Sequence, residues 1–189
     1  MSKDKKYWED FYKKFEVSSP SPFAEWVAGE VAPDPCSIID IGCGNGRDSK
    51  FLMSRGHSVT GVDSALPEDM GTEFIKEDIA AFISNNPCRW DVVYARFFFH
   101  AIPYHEVWKI LQWCSGILAA EFRVIGDVPI LYKEHDRYLL DPNLFYKSLK
   151  DLDYHVKHFS VSRGLSPMNG EDPLLARVIA VKKEDLNFE

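Results

Sequence analysis

Two hydrophobic periods take turns along this chain, and their order sets the first expectation. Short runs rich in β-branched and aromatic residues at 38–41, 58–63, 74–77, 90–97, 119–125, 154–163 and 174–182 read as seven strands bounded by turn residues. Helical spacing fills most of the gaps, with Phe51 and Leu52 inside 47–55, then 78–85, 104–116 and 141–149. Pro142 directly after Asp141 marks a helix start, because proline lacks an N–H that the first turn leaves unbonded anyway. Strands alternating with helices predict an α/β domain whose mostly parallel sheet is covered on both faces. Right-handed crossovers then put ligands at the carboxyl ends of the strands. The last two strands have no helix between them and are expected to pair antiparallel.

Two further helical stretches precede the first strand. Trp8, Phe11, Tyr12 and Phe15 share one face of 7–15, and Trp26 and Val27 face inward from 23–31, which Pro33 and Pro35 end. The first stretch is expected to be a cover over the sheet or a lid over a site. The gap 65–73 is too short for a crossover helix with its loops, so a loop is expected there.

The most informative stretch is Ile38-Ile39-Asp40-Ile41-Gly42-Cys43-Gly44-Asn45-Gly46, an apolar run ending in an acid and then glycines alternating with small residues. Glycines at a strand-to-helix junction let a ligand lie against bare backbone while the helix start offers free N–H groups. The spacing is G-x-G-x-G, not the G-x-G-x-x-G that cradles a dinucleotide pyrophosphate, and Asp40 just before it disfavours an anion. A carboxylate there suits a ligand with a cationic amino group, which favours S-adenosylmethionine over NAD. Asp63, ending the second strand with Ser64 beside it, is placed to accept hydrogen bonds from ribose hydroxyls.

From Asp40 to Gly46, then Asp63, then Glu77-Asp78-Ile79, the chain resembles the class I S-adenosylmethionine-dependent methyltransferases, over nearly its whole length. The resemblance implies a Rossmann-like seven-stranded sheet and S-adenosylmethionine as cofactor. It implies a cofactor site of Asp40, Gly42, Cys43, Gly44, Asn45, Gly46, Asp63, Ser64, Asp78, Ile79 and Arg96. In the family an acid at Asp78 bonds the adenine amino group; a plain helix cap is the other reading of this residue. The chain is similar to small bacterial members associated with surface-polysaccharide and small-molecule methylation, and Gly44-Asn45-Gly46-Arg47 is similar to tellurite-resistance methyltransferases. Cys114-Ser115-Gly116 stands where members often carry Lys-Pro-Gly-Gly, so a tighter turn is expected.

Composition narrows the partners. At 189 residues one domain is expected, 1–35 as helical cover or lid and 36–189 as catalytic core. A net charge of −7 argues against a nucleic-acid backbone as partner, and no apolar run approaches the ~20 residues of a membrane span. The start MSKDKKYWED has no apolar signal core, so a cytoplasmic location is expected. Cys36, Cys43, Cys88 and Cys114 show no metal-ligand spacing; Cys43 reads as a small packing residue, although a helix start beside it would lower its pKa. Tyr104, Trp108 and Trp113 read equally as core or as interface, leaving the oligomeric state open.

In an acidic chain, cations gathered on one rim point to an anionic ligand. Arg96, Arg123 and Arg163 end strands at the ligand edge, His100 follows the fourth strand, and His135 and Arg137 lie in the loop after the fifth. Ordinary ion pairs with Glu121, Asp127, Asp136 and Asp172 are the competing reading. The expectation is methyl transfer to a small anionic metabolite such as a phosphorylated sugar or glycan precursor, with Arg96, Arg123, Arg137 and Arg163 holding it. A hydroxyl or amine acceptor would need His135 or His100 as general base, whereas an already ionised oxygen needs none. A thiol, chalcogen or arsenic acceptor, and a non-catalytic cofactor-binding or partner subunit, are the alternatives.

Overall fold

The structure is a computed structural model that describes residues 3–14, 19–126, 137–167 and 170–183. Helix α1 (Lys3–Lys14) and helix α2 (Pro22–Trp26) precede strand β1 (Ser37–Ile41). Then come α3 (Arg47–Ser54), β2 (Ser58–Val62), β3 (Phe74–Ile75), α4 (Ile79–Asn85), β4 (Val92–Arg96), α5 (Tyr104–Trp113), β5 (Ile117–Arg123), α6 (Pro142–Asp151), β6 (Tyr154–Ser162) and β7 (Leu175–Lys182). The strands form one sheet in the order β3-β2-β1-β4-β5-β7-β6. All neighbours pair parallel except β7, which runs antiparallel to both β5 and β6. The expected seven-stranded sheet with a reversed last strand is what forms.

The strands' two-residue period sorts the core into two layers. Ile39, Ile41, Val93, Leu118, Ala120 and Phe122 point to the side covered by Phe82, Val107, Ile110, Leu111, Phe145 and Leu149 of α4, α5 and α6. Ile38, Val92, Tyr94, Ala119 and Ile179 point the other way, onto Phe23, Ala24, Val27, Ala28 and Leu52. Both faces are apolar, hence the near-continuous hydrophobic runs of β1 and β4.

Local chemistry sets the helix ends. Ser21 Oγ accepts from Ala24 N at 3.0 Å with Pro22 at the first position, and Asp141 accepts from Asn143 N at 2.8 Å ahead of Pro142. The expected helix over 23–31 is not uniform: after Trp26 it widens into a π turn, Val27–Val31, closed by Ala32 N donating to Val27 O at 2.8 Å. Helix α5 stops at Trp113 rather than at Gly116, because Cys114 takes an extended ψ of 127°. Between β2 and β3 the chain is a loop, as its length required. Among the described residues no helix is long and apolar enough to cross a membrane.

Candidate functional site

Neighbour β1 receives β2 on one side and β4 on the other, so the order of the sheet reverses there and a crevice opens beyond its carboxyl end. The glycine turn occupies that crevice. Gly42 and Cys43 donate to Val62 O at 2.8 and 3.3 Å, which ties the turn to β2. Gly42 and Gly44 have φ of 72° and 59°, and a Cβ on them would lie 2.3 Å from Phe98 and 2.8 Å from Tyr12. Backbone angle and close approach both demand glycine at these two positions.

Two carboxylates flank the turn. Asp40 is 2% exposed and accepts from Ser49 Oγ at 2.6 Å; burial pushes its carboxyl up to about 7, against the pull of Ser49. Asp63 accepts from Gly44 N at 3.0 Å and Ala65 N at 2.7 Å, and burial raises its carboxyl despite both amides. Burial likewise raises the Cys43 thiol, with Asp40 and Asp63 adding to the effect, so the helix start does not activate it and the packing reading holds. Helix α1 lies over this place. Its Tyr12 ring meets Gly44, and burial first, then Asp63, Cys43 and Asp40, hold the phenol well above its usual range. Glu9 reaches Lys76 at 3.5 Å.

Beside Asp63 opens a pocket that Ser64, Asp78 and Ile79 also line, together with Phe98, Ile102 and Glu106. Asp78 caps α4, one oxygen accepting from Ala80 N at 2.9 Å and Ala81 N at 3.4 Å, while still facing this pocket. Both readings of that residue are therefore compatible. Phe98, Ile102 and Glu106 were not singled out in the sequence; the signal available for Glu106 was an acid in the first turn of a helix opened by Pro103.

In this arrangement the fold can be compared with known proteins. Residues 1–83 match the family model described as Tellurite resistance protein TehB. A Trans-aconitate 2-methyltransferase of Rhodopseudomonas palustris is 34% identical over 119 residues, which cover 57% of this chain and 44% of the relative; one of Rhizobium rhizogenes is 28% identical over 104 residues, 50% of the chain and 40% of the relative. The chain thus spans less than half the length of these curated relatives. Among solved structures, TehB from Haemophilus influenzae superposes with a TM-score of 0.69 at 20% identity, covering 92% of this chain and 66% of that one. A Burkholderia thailandensis 1,6-didemethyltoxoflavin-N1-methyltransferase, bound to S-adenosylhomocysteine, gives 0.67 at 15%, covering 85% and 76%.

By fold, the chain is similar to these methyltransferase structures.

Within this fold the cationic rim is more self-contained than its sequence implied. Glu121 of β5 is fully buried and accepts from Arg96 Nε at 3.1 Å, Ser166 Oγ at 2.9 Å and Arg177 Nε at 2.6 Å. Arg177, absent from the expected set, lies over Phe23 and Trp26; an acid in ILAAEFR and a base in LARVIAVK, both otherwise apolar strands, were the available signal. Arg96 stacks on Phe97, 4.1 Å from its ring centre, and its terminal nitrogens have no hydrogen bond among the described residues. Phe97 sits at φ 57°, a conformation a bulky side chain rarely holds, with its N–H on Glu121 O at 2.8 Å. Arg123 bonds Glu171 at 2.6 Å. Arg163 is exposed just past the end of edge strand β6 and bonds the Asp172 carbonyl across the β6–β7 connection.

The histidines divide. His100 is 5% exposed and accepts from Arg123 N through Nδ1 at 3.2 Å, while Tyr138 N donates to its carbonyl at 2.8 Å. With Nδ1 occupied as an acceptor, the neutral ring carries its proton on Nε2. His100 thus joins β5 to the turn after β4, and in this tautomer Nε2 holds a proton rather than a lone pair. His135, Asp127 and Asp136 lie outside the described residues, as does Phe15. Arg137 is half-buried beside Tyr138, where the chain returns to His100.

Proposed function

We propose that this protein transfers a methyl group from S-adenosylmethionine to a small anionic acceptor. The observation that carries the reading is one sheet edge where Asp40 and Asp63 flank a glycine turn and the guanidinium groups of Arg96 and Arg123 follow on the next two strands. The carboxylates suit the donor's ammonium and ribose hydroxyls, and the guanidinium groups suit an acceptor oxyanion. With His100 committed to Arg123 N, an acceptor that is already ionised is favoured over a hydroxyl. Its oxygen forms the new O–C bond as the S–C bond breaks, the electron pair goes to sulfur, and the sulfonium becomes a neutral thioether. Alignment of oxygen, methyl and sulfur is then the main task, and arginines that orient the oxyanion without gripping it too tightly serve it. The curated relatives' name supports a carboxylate acceptor over the phosphorylated sugar expected from the sequence.

The match over residues 1–83 favours a second acceptor, a chalcogen oxyanion, with the same donor site. Calorimetry with S-adenosylhomocysteine, followed by transfer of labelled methyl to trans-aconitate, other di- and tricarboxylates, and tellurite, tests both. Donor uptake with methyl ester formation is expected. Donor uptake with no labelled product from any acceptor would leave the reading without support.

A further inference from the structure

The most telling contact outside the donor site is the one Arg123 makes with the chain's own carboxylate. Arg123 is 7% exposed, its backbone N–H is fixed on His100, and its Nη2 lies 2.6 Å from Glu171 Oε2. Glu171 keeps 38% of its side-chain surface exposed. The cation is thus set deep on a strand, and the anion stands at the solvent boundary on the loop between β6 and β7. Opening such a pair weakens the compensation of a buried guanidinium, whereas exchanging one carboxylate for another is close to neutral.

Other contacts hold the loop independently of Glu171. Ser166 donates to Glu121 at 2.9 Å, Arg177 Nη2 to Leu165 O at 3.0 Å, and Gly164 N to Asp172 Oδ1 at 2.6 Å. The described neighbours of Glu171 are therefore seated by contacts that do not involve its carboxylate. Arg96, whose partner across the sheet is Glu121, stands one strand away and two residues back, roughly 8 Å from Arg123 by strand geometry. Two long cationic side chains rooted at this backbone spacing suit two carboxylates of one small molecule.

Resting on the methyl-transfer reading, we propose that Glu171 is a specificity-determining residue: its carboxylate holds the place on Arg123 that an acceptor carboxylate takes. The acceptor is accordingly at least a dicarboxylate, one group anchored on Arg123 while another faces the donor. A monocarboxylate gains too little to displace Glu171, so the loop acid selects by charge.

Citrate titrated into protein saturated with S-adenosylhomocysteine tests this, with acetate and inorganic phosphate as comparisons. Glu171→Gln should bind citrate about 2- to 5-fold more tightly than the wild type, the scale of removing one partly exposed competing charge. Glu171→Asp should return towards the wild-type value, Arg123→Gln should bind at least 10-fold more weakly, and acetate should show no measurable binding to the wild type. Citrate affinity unchanged or weakened in Glu171→Gln, or phosphate gaining as much as citrate, overturns the proposal while leaving methyl transfer intact. Failure of the wild type to take up S-adenosylhomocysteine overturns both, and the two failures are read in the same experiment.

Discussion

Asp40 offers a prediction in which stability and binding move in opposite directions. Its carboxyl, pushed from 3.8 to about 7 by burial, binds a proton more tightly in the folded chain than in the unfolded one. Between those two values the folded state holds the extra proton, so stability is complete below about pH 4 and falls as pH rises towards 7. At about 1.4 kcal/mol for each tenfold change in proton affinity, the shifted titration of Asp40 costs the unliganded fold about 4 kcal/mol at pH 8, where the folded carboxyl is ionised, and about 2 kcal/mol at pH 5, where it keeps the proton that the unfolded chain has lost. Asp40→Asn keeps an acceptor for Ser49 Oγ and removes the titration. Any packing cost of the amide is the same at both pH values, so the difference between them isolates the carboxylate. The variant should gain about 2 kcal/mol more, relative to wild type, at pH 8 than at pH 5, a difference of roughly 4–8 °C in Tm for a chain of this size. Its affinity for S-adenosylhomocysteine should fall at least 10-fold, because the donor's ammonium loses its counter-charge. Wild-type affinity should rise with pH through 7, with a proton released on binding. Scanning calorimetry at both pH values decides the matter: an equal Tm change at pH 5 and pH 8 would refute the reasoning.

The other expectations follow from contacts already described. Gly44→Ala places a Cβ at positive φ and 2.8 Å from the Tyr12 ring; a loss of about 1–2 kcal/mol from the backbone is expected, with more from the collision. In a thermal-shift assay Tyr12→Ala in the same chain should recover only the collision part. Glu121→Gln leaves Arg96 and Arg177 facing a neutral amide where no solvent reaches, and a loss of about 3–5 kcal/mol is expected by urea denaturation; a change below 1 kcal/mol would show that the two arginines find other partners.

What could be read before the fold was known was what depends on short stretches of chain. The strand–glycine–helix junction and Asp78 as a cap are set by residues within about nine positions of one another, and period-two apolarity sets the strands. Contacts joining distant segments were not legible. Tyr12 lies on the expected helix face, yet nothing local shows that this face meets Gly44. Glu121 and Arg177 are 56 residues apart and become partners only because β7 runs back along β5. Arg96 pairs with Glu121, one of the acids weighed against it, whereas Arg163 bonds only the backbone carbonyl of Asp172 among the contacts described, and Arg123 took an acid, Glu171, that had not been considered. Phe97 at positive φ has no sequence signature, since glycine is the residue that announces such a turn.

The reversal of β7 has one more effect. In a wholly parallel sheet each strand sends its following loop to the reactive rim once and must travel the full depth of the molecule to return. Here β6 and β7 are joined at the rim with no crossover, because β7 runs back along β6. Changes in that connection would be felt first at Arg123, through Glu171, while the glycine turn after β1 lies four strands from β6.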